Sequence, residues 1–130
     1  LPFFIFPPSA VYFLKGFEKW VSKNVDIDAI QTWIISDKSD KYLDQRYDKG
    51  NFPDDFPDFI KNVNPEYINI HKDNSVERIE FVWTTLGGER GIVIGPRTMN
   101  VQQSGVIKHS KSYYEYRRSI RSGVYIFDAG

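Results

Sequence analysis

Val76-Glu77-Arg78-Ile79-Glu80-Phe81-Val82-Trp83-Thr84-Thr85, Leu86-Gly87-Gly88-Glu89 and Arg90-Gly91-Ile92-Val93-Ile94-Gly95 form the stretch that decides the fold. Ile79, Phe81 and Trp83 alternate with Arg78, Glu80, Val82 and Thr84, the period-two signature of a strand with one face on a core. Ile92 and Ile94 resume the alternation, so the two runs predict an antiparallel hairpin with Leu86–Glu89 as its loop. Gly87 and Gly88 suit the positive backbone angles of a tight turn. A phosphate loop is not indicated, because the run lies between two strands, lacks the following Lys-Ser/Thr and opens no helix.

Upstream of the hairpin, Ile68 and Ile70 alternate with Tyr67, Asn69 and His71, predicting another strand that ends in the turn Lys72-Asp73-Asn74-Ser75. Downstream, Val124-Tyr125-Ile126-Phe127-Asp128 predicts a last strand after the turn Ser122-Gly123. Tyr113-Tyr114-Glu115-Tyr116 fits either a fourth strand or a short helix, and 96–111 reads as a polar loop. The front of the chain has a different period. Ala10, Val11, Phe13, Leu14, Phe17, Trp20 and Val21 follow helical spacing, with Ser9 as the expected N-cap and Asn24 at the C-terminal end. Gly16 weakens this helix and suggests close approach of another element. A second helix is expected from Asp26, burying Ile27, Ile30, Trp33 and Ile34. The polar run 37–51 reads as a solvated short helix or loop, and a turn or two of helix is expected from about Pro57 to Val63. The order predicts an α+β domain spanning 1–130, with two or three N-terminal helices packed on one face of a four- to five-stranded antiparallel sheet.

Composition removes several classes of function. The 130 residues carry 17 basic and 17 acidic side chains, so global charge gives no hold on nucleic acid. The absence of cysteine removes thiol catalysis, cysteine zinc sites and iron–sulfur clusters. There is no Gly-x-Ser-x-Gly nucleophile motif. Asp37, Asp40, Asp44 and Asp48 have helical spacing, but the positions after Asp44 do not match a calcium loop, and Asp54, Asp55 and Asp58 match none either. His71 and His109 have no acidic partner at a metal-ligand spacing, and His71 is expected to face solvent. No cofactor, metal ligand or catalytic residue is assigned. A hydrolase or ligand-binding pocket at the 84–91 hairpin would draw on Glu80, His71 and Arg90, chosen for their chemistry alone.

Charge is uneven along the chain. From Arg97 onward there are six basic residues against two acidic, interleaved with Tyr113, Tyr114 and Tyr116, whereas residues 1–64 hold eight basic against ten acidic. Arg90, Arg97, Arg117, Arg118 and Arg121 are therefore the anion-binding candidates, open to lipid headgroups ahead of nucleic acid. The competing reading pairs these arginines with the acidic first half.

Asp55-Phe56-Pro57, Asn64-Pro65-Glu66-Tyr67-Ile68, Ile79-Glu80-Phe81-Val82-Trp83, Gly87-Gly88, Gly91-Ile92-Val93-Ile94-Gly95-Pro96 and Gly123-Val124-Tyr125 together resemble a family of small uncharacterised bacterial proteins. The resemblance covers roughly the second half. It implies a bacterial origin and a preceding N-terminal hydrophobic segment, and it brings no activity and no site residue. The chain opens Leu1-Pro2-Phe3-Phe4-Ile5-Phe6-Pro7-Pro8, and its one methionine is Met99. The expectation is a precursor cut before Leu1, an apolar strap over 1–8, and a place at the bacterial cell envelope if a membrane or signal segment was removed. The expected function is a non-catalytic binding or structural module, possible partners being a protein or a membrane surface.

Overall fold

The computed structural model describes residues 8–42, 44–72, 77–101 and 104–130, with side chains from residue 13 onward. The hairpin read first lies in the middle of a seven-stranded sheet in which every pairing is antiparallel. Its strands are β1 (Gln45–Asp48), β2 (Tyr67–His71), β3 (Arg78–Thr85), β4 (Gly88–Ile94), β5 (Gly105–Lys108), β6 (Tyr114–Arg121) and β7 (Val124–Ala129). They lie in the order β1-β2-β3-β4-β7-β6-β5. The chain meanders through β1 to β4, crosses to the far edge, and returns inward so that β7 pairs with β4.

The sheet is wider than the four or five strands expected. Both added strands, β1 and β5, are four-residue edges. β5 falls within the stretch read as a polar loop, and β1 within the run read as solvated helix or loop. Tyr114 extends into a strand, not a helix. The helices are α1 (Pro8–Asn24), α2 (Ile27–Ile34) and α3 (Asp58–Lys61), with a 3₁₀ helix over Asp37–Tyr42. Since α3 follows β1, helices and strands interleave instead of separating into an N-terminal helical block. Ser9 lies inside α1, whose first residue is Pro8, a favoured opening position for proline. The strap expected over 1–8 lies outside the described residues except for Pro8.

Two rows of side chains run across the sheet and carry the core. Register aligns Ile68, Phe81, Ile92 and Ile126 in one row, and Ile70, Ile79, Ile94 and Val124 in the next. All eight are fully buried in one cluster with Leu14 and Val21 of α1, Ile30 and Ile34 of α2, and Ile60 of α3. Each such side chain contributes about 1.5–3 kcal/mol of burial energy.

Polar contacts fix α2 against the strand ends. Asp26 caps the helix by accepting from the Ala29 N–H at 3.1 Å. The buried Gln31 amide donates to the Gly95 and Ser122 carbonyls at 3.0 and 2.9 Å. Lys72, with its side chain 4% exposed, donates to the Ile34 carbonyl at the C-terminal end of α2 and pairs with Asp40 and Glu77. Gly123 turns from β6 to β7 with φ +77°, and a Cβ there would meet the Pro96 carbonyl oxygen at 2.1 Å.

Candidate functional site

The site begins with helical spacing. Phe13, Gly16, Phe17 and Trp20 lie three and four residues apart, so they share one flank of α1. Leu14 and Val21 occupy the neighbouring flank and go into the core. The rings of Phe13, Phe17 and Trp20 stack along the helix at centroid distances of 5.4 and 5.7 Å. Trp83 of β3 stands edge-on to this ladder, 5.6 Å from Phe17 and 5.9 Å from Trp20, and its indole N–H donates to the Asn64 carbonyl at 3.2 Å. Arg90 is the register partner of Trp83, so its side chain rises on the same face. Its guanidinium lies 3.9 Å from the centre of the Phe13 ring, and its Nε donates to Asp128 Oδ1 at 3.3 Å.

These side chains, with Gly16 and Thr85, line an open cleft of about 550 Å³. Its walls are aromatic, and its polar groups are Thr85 and an Arg90 already neutralised by Asp128. Volume and lining fall in the range of ligand sites. Trp20 is 37% exposed at the rim, and Leu86 at the hairpin tip is fully exposed. Two expectations change here. Trp20 does not join the core cluster, and Gly16 marks no close approach, because a Cβ there would have nothing within 4 Å. Gly16 instead lines the open cleft. The signal was present in α1, where aromatics and Gly16 segregate to one flank of the apolar arc and aliphatics to the other.

The five candidate arginines go to four places, each beside a carboxylate. Arg90 meets Asp128 in the cleft. Arg118 donates to Glu18 of α1 at 2.7 Å. Arg117 donates to Glu115 at 2.6 Å and stacks on Tyr125 at 3.9 Å, a tyrosine whose burial pushes its pKa up to about 12. Only Arg97 and Arg121 come together, both on Asp28. Three of the five thus pair with α1 or α2, as the charge-compensation reading expects.

Glu80 and His71 also come together, but Arg90 does not join them. Glu80 shares its face with Val82, one residue out of phase with Trp83 and Arg90, so the pleat separates them. His71 is three-quarters buried instead of facing solvent. Its Nδ1 lies 3.0 Å from Asp44 and its Nε2 3.5 Å from Glu80. Glu80 also accepts from Asn69 and Arg78, each at 3.2 Å. His109 has its own acid, Glu115, at 2.9 Å. Asp40, Asp48 and Asp55 are paired with Lys72, Arg46 and Lys41. No group of three or more metal-ligating side chains assembles among the described residues, and none of their helices is long and apolar enough to cross a membrane. Comparison with family models, with curated proteins and with solved structures finds no match to this chain.

Proposed function

We propose that the chain is a non-catalytic binding module whose working surface is the aromatic cleft between α1 and the β3–β4 hairpin, and whose occupant is an apolar segment of a protein partner. In this reading α1 and α2 cover one face of the sheet, and the cleft is where that cover stops. The carrying observation is the aromatic ladder of Phe13, Phe17 and Trp20 set against Trp83 around open volume. Trp and Phe in such a setting supply large contact area at small entropic cost, which is how interface anchors work. The cleft reaches solvent at the exposed edge of Trp20, which suits a chain segment better than an enclosed small molecule. Lys15, Lys19 and Lys23 are exposed on the same helix and favour an acidic amphipathic partner. The hydrolase reading has one observation in its favour, His71 between Asp44 and Glu80, but that cluster lies on the opposite face of the sheet from the cleft.

Gly16 gives the test, because the space above it is empty and a side chain there plugs the cleft without entering the core. An amphipathic Leu/Glu peptide is expected to change the fluorescence of Trp20 and Trp83 saturably in the native chain, and Gly16→Phe to abolish the change while leaving the melting temperature within a few degrees. Equal binding by Gly16→Phe rejects the reading. So does saturable binding to anionic lipid vesicles in place of the peptide, which would give the surface to a membrane.

A further inference from the structure

At the end of β4 and β7 away from the hairpin, a β-bulge reverses the direction of one arginine. Ser119 pairs with Tyr125 in regular register, but Arg121 pairs with Val124, so Ile120 is an extra residue in β6. Val124 belongs to the core face, and Arg121 opposite it therefore turns toward α2 instead of following Ser119 to the other side. Arg97, just past the end of β4, arrives from the other direction. Both guanidinium groups donate through Nη2 to the same atom, Asp28 Oδ1, with the Arg97 bond 3.0 Å long. Two cations on one carboxylate leave one positive charge over, and among the described residues neither arginine meets a second carboxylate. Asp28 is held below the ordinary carboxylate range by its hydrogen bond and charge contact with Arg121, and then by those with Arg97. At the sheet end beside this pair opens a cleft of about 440 Å³ whose lining includes both arginines, Ser122 and the Gly123 turn, and Asp28 lines an adjoining cleft of about 280 Å³ that shares Arg97. Arg97 is 71% and Arg121 40% exposed, so both can be reached from solution.

We propose that Arg97 and Arg121 form a binding site for the phosphate dianion, free or as a monoester, and that Asp28 is the resident anion with which the ligand competes. Each guanidinium has five N–H donors in a planar fork and gives one to Asp28 in the absence of ligand. The donors left over match the several oxygens and double charge of phosphate, which two arginines recognise better than they do a single carboxylate oxygen. The bulge brings the second arginine to the first, and the Gln31 amide bonds to the Gly95 and Ser122 carbonyls hold the two segments that carry them. This site is separate from the aromatic cleft, so the two proposals stand or fall independently.

The test is an amide NMR titration of the full chain with inorganic phosphate and with phenyl phosphate, at ionic strength held constant with chloride. Saturable shifts are expected at Arg97, Arg121 and Ser122 with either ligand. Arg97→Ala and Arg121→Ala should each weaken binding by roughly tenfold or more, the scale of a charge-assisted hydrogen bond. Lys108→Ala, which removes an equal charge from an exposed edge position, should leave binding unchanged. Asp28→Asn is the sharper variant: removing the competing carboxylate should tighten binding several-fold. Shifts that chloride reproduces, an equal loss in Lys108→Ala, or weaker binding in Asp28→Asn would each overturn the proposal. Because Asp28 and Arg97 are mostly exposed, these substitutions can be read without a loss of fold, which a dispersed, native-like amide spectrum at the titration temperature verifies.

Discussion

Gly16 and Gly91 show how far the cost of a methyl group depends on what surrounds it. At Gly16 a Cβ meets nothing within 4 Å, so alanine gains helix propensity and restricts the unfolded chain without any steric charge against it. At Gly91 the same atom would stand 2.3 Å from the Phe81 carbonyl oxygen and 2.8 Å from the Phe127 ring. The ring can move, but the carbonyl belongs to the paired strand β3. Gly16→Ala is therefore expected to raise the unfolding free energy by about 0.4–1 kcal/mol. Gly91→Ala should lower it by about 1–3 kcal/mol through overpacking. Urea denaturation with an unchanged slope checks both. A neutral Gly91→Ala would mean that β4 shifts off β3 at little cost, contrary to the two buried rows that lock the strands.

Strand position controls stability at the scale of elements. β3, β4 and β7 each have a neighbour on both sides and carry six of the eight residues in the buried rows, whereas β1 and β5 have one neighbour each. Hydrogen exchange should therefore be slowest in β3, β4 and β7, close to the limit of global unfolding, and much faster in β5. Protection in β5 equal to that in β4 would contradict this hierarchy. The same distinction sets what can be read from the chain. Ile79, Phe81, Ile92 and Ile94 alternate because one face of a central strand is buried, so their hairpin is legible. In β1 only Tyr47 reaches partial burial, and in β5 the alternation in burial falls on Gly105-Val106-Ile107-Lys108 with apolar Val106 on the exposed side, so neither edge has a hydrophobic period to detect. The loss carries through to the sites. Asp44 sits at the start of β1 and reaches His71 only through the β1–β2 pairing, so an undetected strand conceals its ion pair. Arg121 is hidden differently, by a bulge that no alternation pattern marks. The aromatic cleft was half visible: periodicity identified the apolar arc of α1 but could not tell which flank would find a partner.

A net charge of zero at the scale of the whole molecule conceals a set of ionisable groups that depend on the fold. Asp28, Asp55 and Glu66 are all held below their ordinary range, by hydrogen bonds from Arg121, from Lys41 and from the Thr84 hydroxyl respectively. Each of these bonds is stronger to the ionised carboxylate than to the neutral acid. A depressed folded pKa stabilises the protein above the unfolded value and loses that contribution as pH falls through the folded one, so stability should decline below about pH 4. The alkaline side has the opposite sign. Burial raises Tyr125 to about 12, and burial together with Asp55 and Glu89 pushes Tyr42 and Tyr67 up as well. A raised folded pKa preserves stability below the unfolded value near 10 and loses it as pH climbs toward the folded one. Melting temperatures at pH 7, 3 and 11 should therefore be highest at pH 7. The two limbs can be probed separately, since Asp28→Asn should make the acid fall shallower, with Asp55 and Glu66 keeping part of it, and leave the alkaline one intact, while Tyr125→Phe should soften the alkaline fall alone. An acid limb unchanged in Asp28→Asn would remove Asp28 from its sources, and an alkaline limb unchanged in Tyr125→Phe would remove Tyr125, leaving the two falls to Asp55 and Glu66 and to Tyr42 and Tyr67 respectively.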